Sequence, residues 1–220
     1  MLALDHLVVG ADSLAQGVRW CEGQLGVTPG PGGQHPQMST HNRLLSIATG
    51  AFPDAYLEII AIDPGAPPPG RVRWFGLDEP ALRECLRQRP RFLHAVFRTS
   101  VLDELRAALA AAGHDPGTPI EARRETAQGP LQWRITVRDD GRLAFGGALP
   151  TLIEWRGRHP AASMPASGLR LTALELAGLP DAVQRLLPLP TVGFAPAGEP
   201  ALRATLFTPR GAAILASDPE

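Results

Sequence analysis

The chain of 220 residues has no lysine, and all 21 of its basic residues are arginine. A Schiff-base enzyme and a P-loop nucleotidase both need the amine, so both classes are excluded. Anion recognition is not, because the planar guanidinium fork serves it well. An excess of charge is also missing. With 21 basic against 22 acidic side chains there is no field to gather nucleic acid or an anionic membrane. No apolar run reaches the ~20 residues of a membrane span, and no basic stretch precedes the apolar start as in a signal peptide. A cytoplasmic protein without nucleic-acid or membrane partners is expected. Cysteine is scarce: Cys21 and Cys85 form no CxxC pair, which points to reduced thiols rather than a disulfide framework.

What the chain does have is one chemical pattern written twice. His6 lies in LALDHLVVG and Glu58 in AYLEIIAID; His94 lies in RFLHAVFRT and Glu154 in PTLIEWRGR. Each histidine sits in an apolar, strand-like run before a helix, and each glutamate sits in a later apolar strand. The spacings are 52 and 60 positions, close enough for one duplicated unit with altered loops.

Alternation over residues 2–9 predicts Leu4, His6 and Val8 on one face and Leu7 and Val9 on the other. Asp12 is the expected N-cap of a helix carrying Leu14, Val18, Cys21 and Leu25, which Gly26 stops. Strands are expected at 44–48 and 56–62, with Tyr56, Glu58 and Ile60 on a shared face. Residues 63–90 read as a Pro/Gly-rich linker followed by a helix from about Asp78. The second unit places Phe92, His94 and Val96 together, then a helix with Leu102, Leu105 and Leu109 ending at Gly113, then strands at 131–137 and 151–155. After a loop at 158–168 comes a third piece, with strands at 169–176, 201–208 and 212–216 and a short helix at 182–187. It has neither His nor Glu at the matching places.

Both complete units read β-α-β-β-β, and the opening LDHLVVGADSLAQGVRWCEGQLGV, with GGQHPQMSTHNRLLSIATG and YLEIIAID, resembles the vicinal oxygen chelate superfamily. Within that glyoxalase and extradiol dioxygenase group, the match is to the glyoxalase-like domain family. The resemblance implies an α+β fold of tandem βαβββ modules, at 1–62 and 91–157, joined by the 63–90 linker and forming a curved mixed sheet. A truncated C-terminal module follows at 168–217.

A carboxylate inside an apolar strand needs a cation or a donor. Two imidazoles and two carboxylates would cancel the charge of a divalent ion and leave positions open for substrate oxygens. His6, Glu58, His94 and Glu154 are therefore the candidate ligands of zinc, manganese, nickel or iron. The bland alternative gives each histidine a hydrogen-bonded place in the core and pairs each glutamate with Arg98 or Arg156. Extradiol dioxygenases of the superfamily imply an iron site of His6, His94 and Glu154 alone, whereas glyoxalase-type isomerases use a carboxylate in both modules. The expected function is thus a metal-dependent isomerase or lyase on a small oxygenated metabolite, with Glu58 or Glu154 as catalytic base. A metal-free small-molecule binding protein and a non-heme iron dioxygenase are the alternatives. Arg98 and Arg156, by strand parity, are candidates to hold a substrate carboxylate, or else to pair with acidic neighbours. His41 and Asn42, on a glycine-rich loop leading into a strand, are candidate substrate contacts or turn caps. A small molecule is the expected partner, with a homodimer as the assembly to be tested.

Overall fold

The computed structural model describes residues 2–126, 129–197 and 201–217. Its first unit runs β1 (Ala3–Gly10), α1 (Leu14–Leu25), β2 (Gln34–His35), β3 (Thr40–Ser46) and β4 (Tyr56–Ile62), followed by α2 (Pro80–Gln88) in the connection. The second runs β5 (Arg91–Arg98), α3 (Leu102–Ala111), β6 (Thr118–Arg124), β7 (Leu131–Val137) and β8 (Thr151–Arg156). The strands form one eight-stranded sheet in the order β2-β3-β4-β1-β5-β8-β7-β6. Each unit ends with its last strand parallel to its first, β4 on β1 and β8 on β5, and the units join where β1 meets β5 antiparallel. Since β2 comes back toward β6, the sheet curls almost closed around a concave face.

Helix α1 begins at Ser13, not Asp12: the Ser13 hydroxyl accepts from the Gln16 N–H at 3.2 Å, and Gln16 Oε1 accepts from the Asp12 N–H at 2.9 Å. This reciprocal arrangement satisfies backbone donors that the first turn leaves open. Gly26 ends the helix at φ 74°, as expected. The apolar stripe of α1, Cys21 and Leu25, and that of α3, Leu102 and Leu109, both belong to the core on the convex face, where α1 lies against β3 and β4 and α3 against β8 and the helix at Asp181–Leu186.

The C-terminal unit comprises β9 (Arg170–Ala177), α4 (Asp181–Leu186), β10 (Val192–Ala195), β11 (Leu202–Thr208) and β12 (Gly211–Ala216). It shares the βαβββ order, but its strands pair as β10-β9-β11-β12, with the first strand parallel to the second rather than to the last. Its Leu171, Leu174 and Leu176 join the convex core, and the Leu171 N–H donates to the Ile47 carbonyl at 2.9 Å. It thickens the back of the sheet and takes no part in the concave face.

That concave face is filled from the connection. Trp74, Phe75 and Leu77 are buried against Val8, Ile60, Val96 and Ile153, so the segment read as a linker forms a roof. Phe75 holds φ 59°, a left-handed backbone that costs roughly 1–2 kcal/mol per residue, and burial of its ring at about 1.5–3 kcal/mol offsets this. Among the described residues, no helix is long and apolar enough to cross a membrane.

Gly17 sets how closely α1 approaches the sheet, because a Cβ there would lie 2.3 Å from Ile59 Cγ2, whereas one on Gly23 would meet nothing within 4 Å. Gly17→Ala should lower stability by about 1–3 kcal/mol through overpacking. Gly23→Ala should raise it by roughly 0.5–1 kcal/mol through helix propensity. Urea midpoints that moved in the same direction for both would contradict this packing.

Candidate functional site

Strict alternation would put Asp5 and His6 on opposite faces of β1. The β1–β5 register shifts between Leu4 and His6, and Leu4 and Leu7 both join the convex core. Such a bulge leaves an extra residue between them, so His6 faces the cavity while its neighbour Asp5 still reaches it. Asp5 is fully buried and accepts from three rings: His6 Nδ1 at 2.7 Å, Trp155 Nε1 at 2.8 Å and His159 Nε2 at 2.9 Å. Burial pushes its carboxyl upward, but the bonds and charges of His159 and His6 outweigh that and hold it well below the usual range. The buried carboxylate is thus ionised, and it aims the far nitrogen of His6 at the cavity. Tyr56 stacks on the His6 ring, centroids 4.7 Å apart. The Tyr56 hydroxyl is pushed well above its ordinary value, first by burial and then by Asp5 and Glu58.

Glu58 stands on β4 opposite this ring, with Oε2 3.6 Å from His6 Nε2. Its other oxygen accepts from Asn42 Nδ2 at 2.6 Å. The Asn42 carbonyl oxygen takes the Gly33 N–H at 2.8 Å and Arg124 Nη1 at 3.4 Å, so the network itself assigns the amide orientation. Beside it, His35 Nε2 lies 3.4 Å from Asn42 Nδ2, and His35 Nδ1 lies 3.1 Å from Thr40 Oγ1. Burial, with Arg124 and His6 nearby, drives His35 down to about 3, so it is a neutral imidazole. Trp74, Phe75, Trp133 and Trp155 close the space in front, about 30 Å³, which is room for about two waters.

Because His6 Nδ1 donates to Asp5, Nε2 and the Glu58 carboxylate confront each other as two proton acceptors. A single proton between them converts that repulsion into an ion pair. With that proton the couple would be an acid and a base held face to face in a small buried cavity.

The second module does not repeat it. Across the β1–β5 seam His6 faces Val96 and Val8 faces His94, so the two histidines are equivalent by the pseudo-twofold. On the neighbouring strands Val8 pairs with Glu58, but Val96 pairs with Thr151. Thr151 therefore occupies the place that Glu58 holds in module one. His94 Nδ1 donates to the Gly147 carbonyl at 2.7 Å, while Nε2 accepts from the Thr151 N–H at 3.1 Å, with the Thr151 hydroxyl at 2.9 Å. Burial, only partly opposed by the Gly147 bond, lowers His94 to about 4. Both ring nitrogens are spent within the core.

Glu154 comes three residues after Thr151, with the opposite parity. It lies a quarter exposed, 3.7 Å from Arg134, which also bonds Asp103 on α3 at 2.6 Å. The expectation of a four-ligand metal site is corrected accordingly. The structure brings His6 and Glu58 together and leaves His94 and Glu154 elsewhere. Among the described residues, no three His, Cys, Asp or Glu side chains stand close enough to hold an ion. Two ligands fall short of the three or four that such a site takes, so the residues present do not fit the metal. The dioxygenase pattern loses two of its three residues for the same reason.

Of the other candidates, Asn42 lines the cavity. His41 points away, with Nδ1 3.9 Å from Asp63, and burial lowers its pKa despite that carboxylate. Arg98 donates to the Leu4 and Pro53 carbonyls and to Asp54, and Arg156 donates to Glu121 at 2.9 Å. The acidic-neighbour reading describes both. Sequence reasoning missed Asp5, which alternation places on the face of Leu7 and Val9, and His159, which looked like a loop residue. It also missed Arg124 and the roof pair Trp74 and Phe75. The adjacent acid in LDH was the available signal.

The sequence profile described as "Glyoxalase-like domain" matches residues 4–189. Among solved structures, a hypothetical protein from Staphylococcus aureus is similar at 13% identity and a TM-score of 0.56, over 99% of this chain and 86% of that one. Methylmalonyl-CoA epimerase from Mycobacterium tuberculosis is similar at 15% identity and a TM-score of 0.40, over 73% and 91%. A variant of the Streptomyces coelicolor epimerase, in complex with 2-nitronate-propionyl-CoA, is similar at 15% identity and a TM-score of 0.45, over 72% and 99%. At these identities the likeness concerns the fold. No curated protein matches the chain.

The two buried neutral histidines make a prediction. Their folded pKa values, about 4 for His94 and about 3 for His35, lie below the unfolded value of about 6.5. Their contribution to stability is therefore complete above about pH 6.5 and is lost as pH falls toward the folded values. For His94 alone this amounts to roughly 3 kcal/mol, at 1.36 kcal/mol per unit. The urea midpoint should fall steadily between pH 6.5 and 4.5, and His94→Gln should be less stable at pH 7.5 yet show a shallower decline. A wild-type midpoint constant over that range would show that these imidazoles are not held neutral.

Proposed function

Because the chain belongs to the glyoxalase-like domain family, we propose that it is an enzyme of the isomerase kind that moves a proton on a small oxygenated metabolite. The chemistry is carried by its own side chains rather than by a metal ion. The observation behind this reading is the approach of His6 Nε2 to Glu58 Oε2 at 3.6 Å within a buried cavity. General acid–base catalysis needs one group ready to accept a proton and another ready to donate, and the ion-paired form of this couple has both.

Glu58 takes the proton from a carbon next to a carbonyl. The C–H electron pair moves into the carbonyl, and the enolate oxygen accepts the Nε2 proton of His6. Return of a proton to carbon, on the other face or at the neighbouring atom, completes an isomerisation with atoms and charges balanced. Asp5 keeps His6 aimed and balances its positive charge, Tyr56 limits tilting of the ring, and Asn42 fixes the carboxylate through its other oxygen. A second reading, a metal-free binding protein, is favoured by the aromatic wall of Trp74, Trp133 and Trp155.

Deuterium incorporation from heavy water into a panel of small 2-oxo and 2-hydroxy acids and aldehydes, followed by NMR, separates the two. The wild type should label at least one compound, and labelling should survive dialysis against a chelator. Glu58→Gln should slow it by about a hundredfold or more. Binding without any labelling would favour the second reading, and loss of labelling on chelation would return the metal to the mechanism.

A further inference from the structure

The inner cavity is too small for a substrate, but it adjoins a groove of about 680 Å³, within the range of small-molecule sites. The groove runs between the loop at Val27–Gly32 and the loop that carries Arg158 and Met164. Arg124 lines both spaces. From it, hydrogen bonds run through Asn42 to Glu58.

We infer that this groove is the ligand-binding subsite of the proposed enzyme, and that Arg124 and Arg158 there hold the anionic end of the ligand, a carboxylate or phosphate. The inference rests on the reading of His6 and Glu58 above and names the substrate class for that site. Among the described residues neither arginine makes an ion pair with a carboxylate. The recorded side-chain contacts of Arg124 and Arg158 are single 3.4 Å approaches to Asn42 Oδ1 and Thr126 Oγ1, and Arg124 Nε is buried without a partner. The one acid on the groove wall, Glu125, is engaged by Arg123 at 2.5 and 3.1 Å, which leaves the groove positive. A guanidinium with open donors takes a carboxylate or phosphate in a two-point contact.

The rest of the wall is apolar: Val27, Pro31, Leu44, Leu131, Met164 and Pro165. The matching ligand is therefore an anion with an apolar portion. With the anion on Arg124, the neighbouring atoms of the ligand lie toward Asn42 and Glu58. Gly33 leaves room for the guanidinium beside the backbone, since a Cβ there would lie 2.7 Å from Arg124 Nη1.

Titration calorimetry on the full chain tests the inference with hexanoate, hexyl phosphate and neutral hexanamide. At least one anion should bind about tenfold or more tightly than the amide, as charge-assisted bonds require, and the better of the two identifies the headgroup. Arg158→Met and Arg124→Met should each weaken the anion by about tenfold or more and leave the amide unchanged. Arg124→Lys, which keeps the charge but loses the fork, covers the case in which the methionine variant does not fold. Absence of proton exchange in the wild type, with anion binding intact, would sink only the catalytic reading. The subsite itself is overturned if the amide binds as tightly as the anions, if the arginine variants bind like wild type, or if no probe binds at millimolar concentration.

Discussion

The antiparallel seam between β1 and β5 governs the molecule, because it joins the two modules and sets which side chains meet inside. Its hydrogen-bonded register opposes His6 to Val96 and Val8 to His94. Two irregularities along it, between Leu4 and His6 and between Val8 and Val9, decide how residues are shared between convex core and concave cavity. At the second, Leu93 joins the concave cluster while Phe92 joins the convex one. The aromatic roof, the Asp5 network and the ion-pairing couple all take their positions from that seam.

The duplication supplied two equivalent places, and this chain uses them differently. In one, a carboxylate on the strand beside the histidine stands 3.6 Å from the free ring nitrogen. In the other, threonine occupies the place, and its backbone and hydroxyl, with the Gly147 carbonyl, absorb the histidine. A fully bonded neutral imidazole stabilises a core, whereas one opposed to a carboxylate keeps a ring nitrogen turned to the cavity. The difference between the two places is one residue on a neighbouring strand.

Much of this was legible beforehand and some was not, for identifiable reasons. Periodicity gave the shared face of Tyr56, Glu58 and Ile60, and the glycine stop the end of α1 at Gly26. The first His–Glu pair lay within reach for the same reason. The second failed because strand pairing is a tertiary property: Thr151 and Glu154 both lie in the predicted strand, and only the register against Val96 tells which one faces inward. Strand β6, with its polar EARR, lacks an apolar alternation and escaped notice. The roof was read as a linker because proline and glycine dominate the composition before Trp74 and Phe75.

The bulge before His6 also changes how related sequences should be searched. Two consecutive side chains reach one side of a sheet only where the backbone carries an extra residue, so an aspartate directly preceding the inward histidine records a local backbone geometry as well as a composition. In an alignment built on strict alternation, that aspartate would be assigned to the face of Leu7 and Val9, away from the histidine. Treated instead as one half of a dipeptide, it becomes a marker for chains in which the imidazole is backed by a buried anion, and it separates them from relatives that share only the histidine.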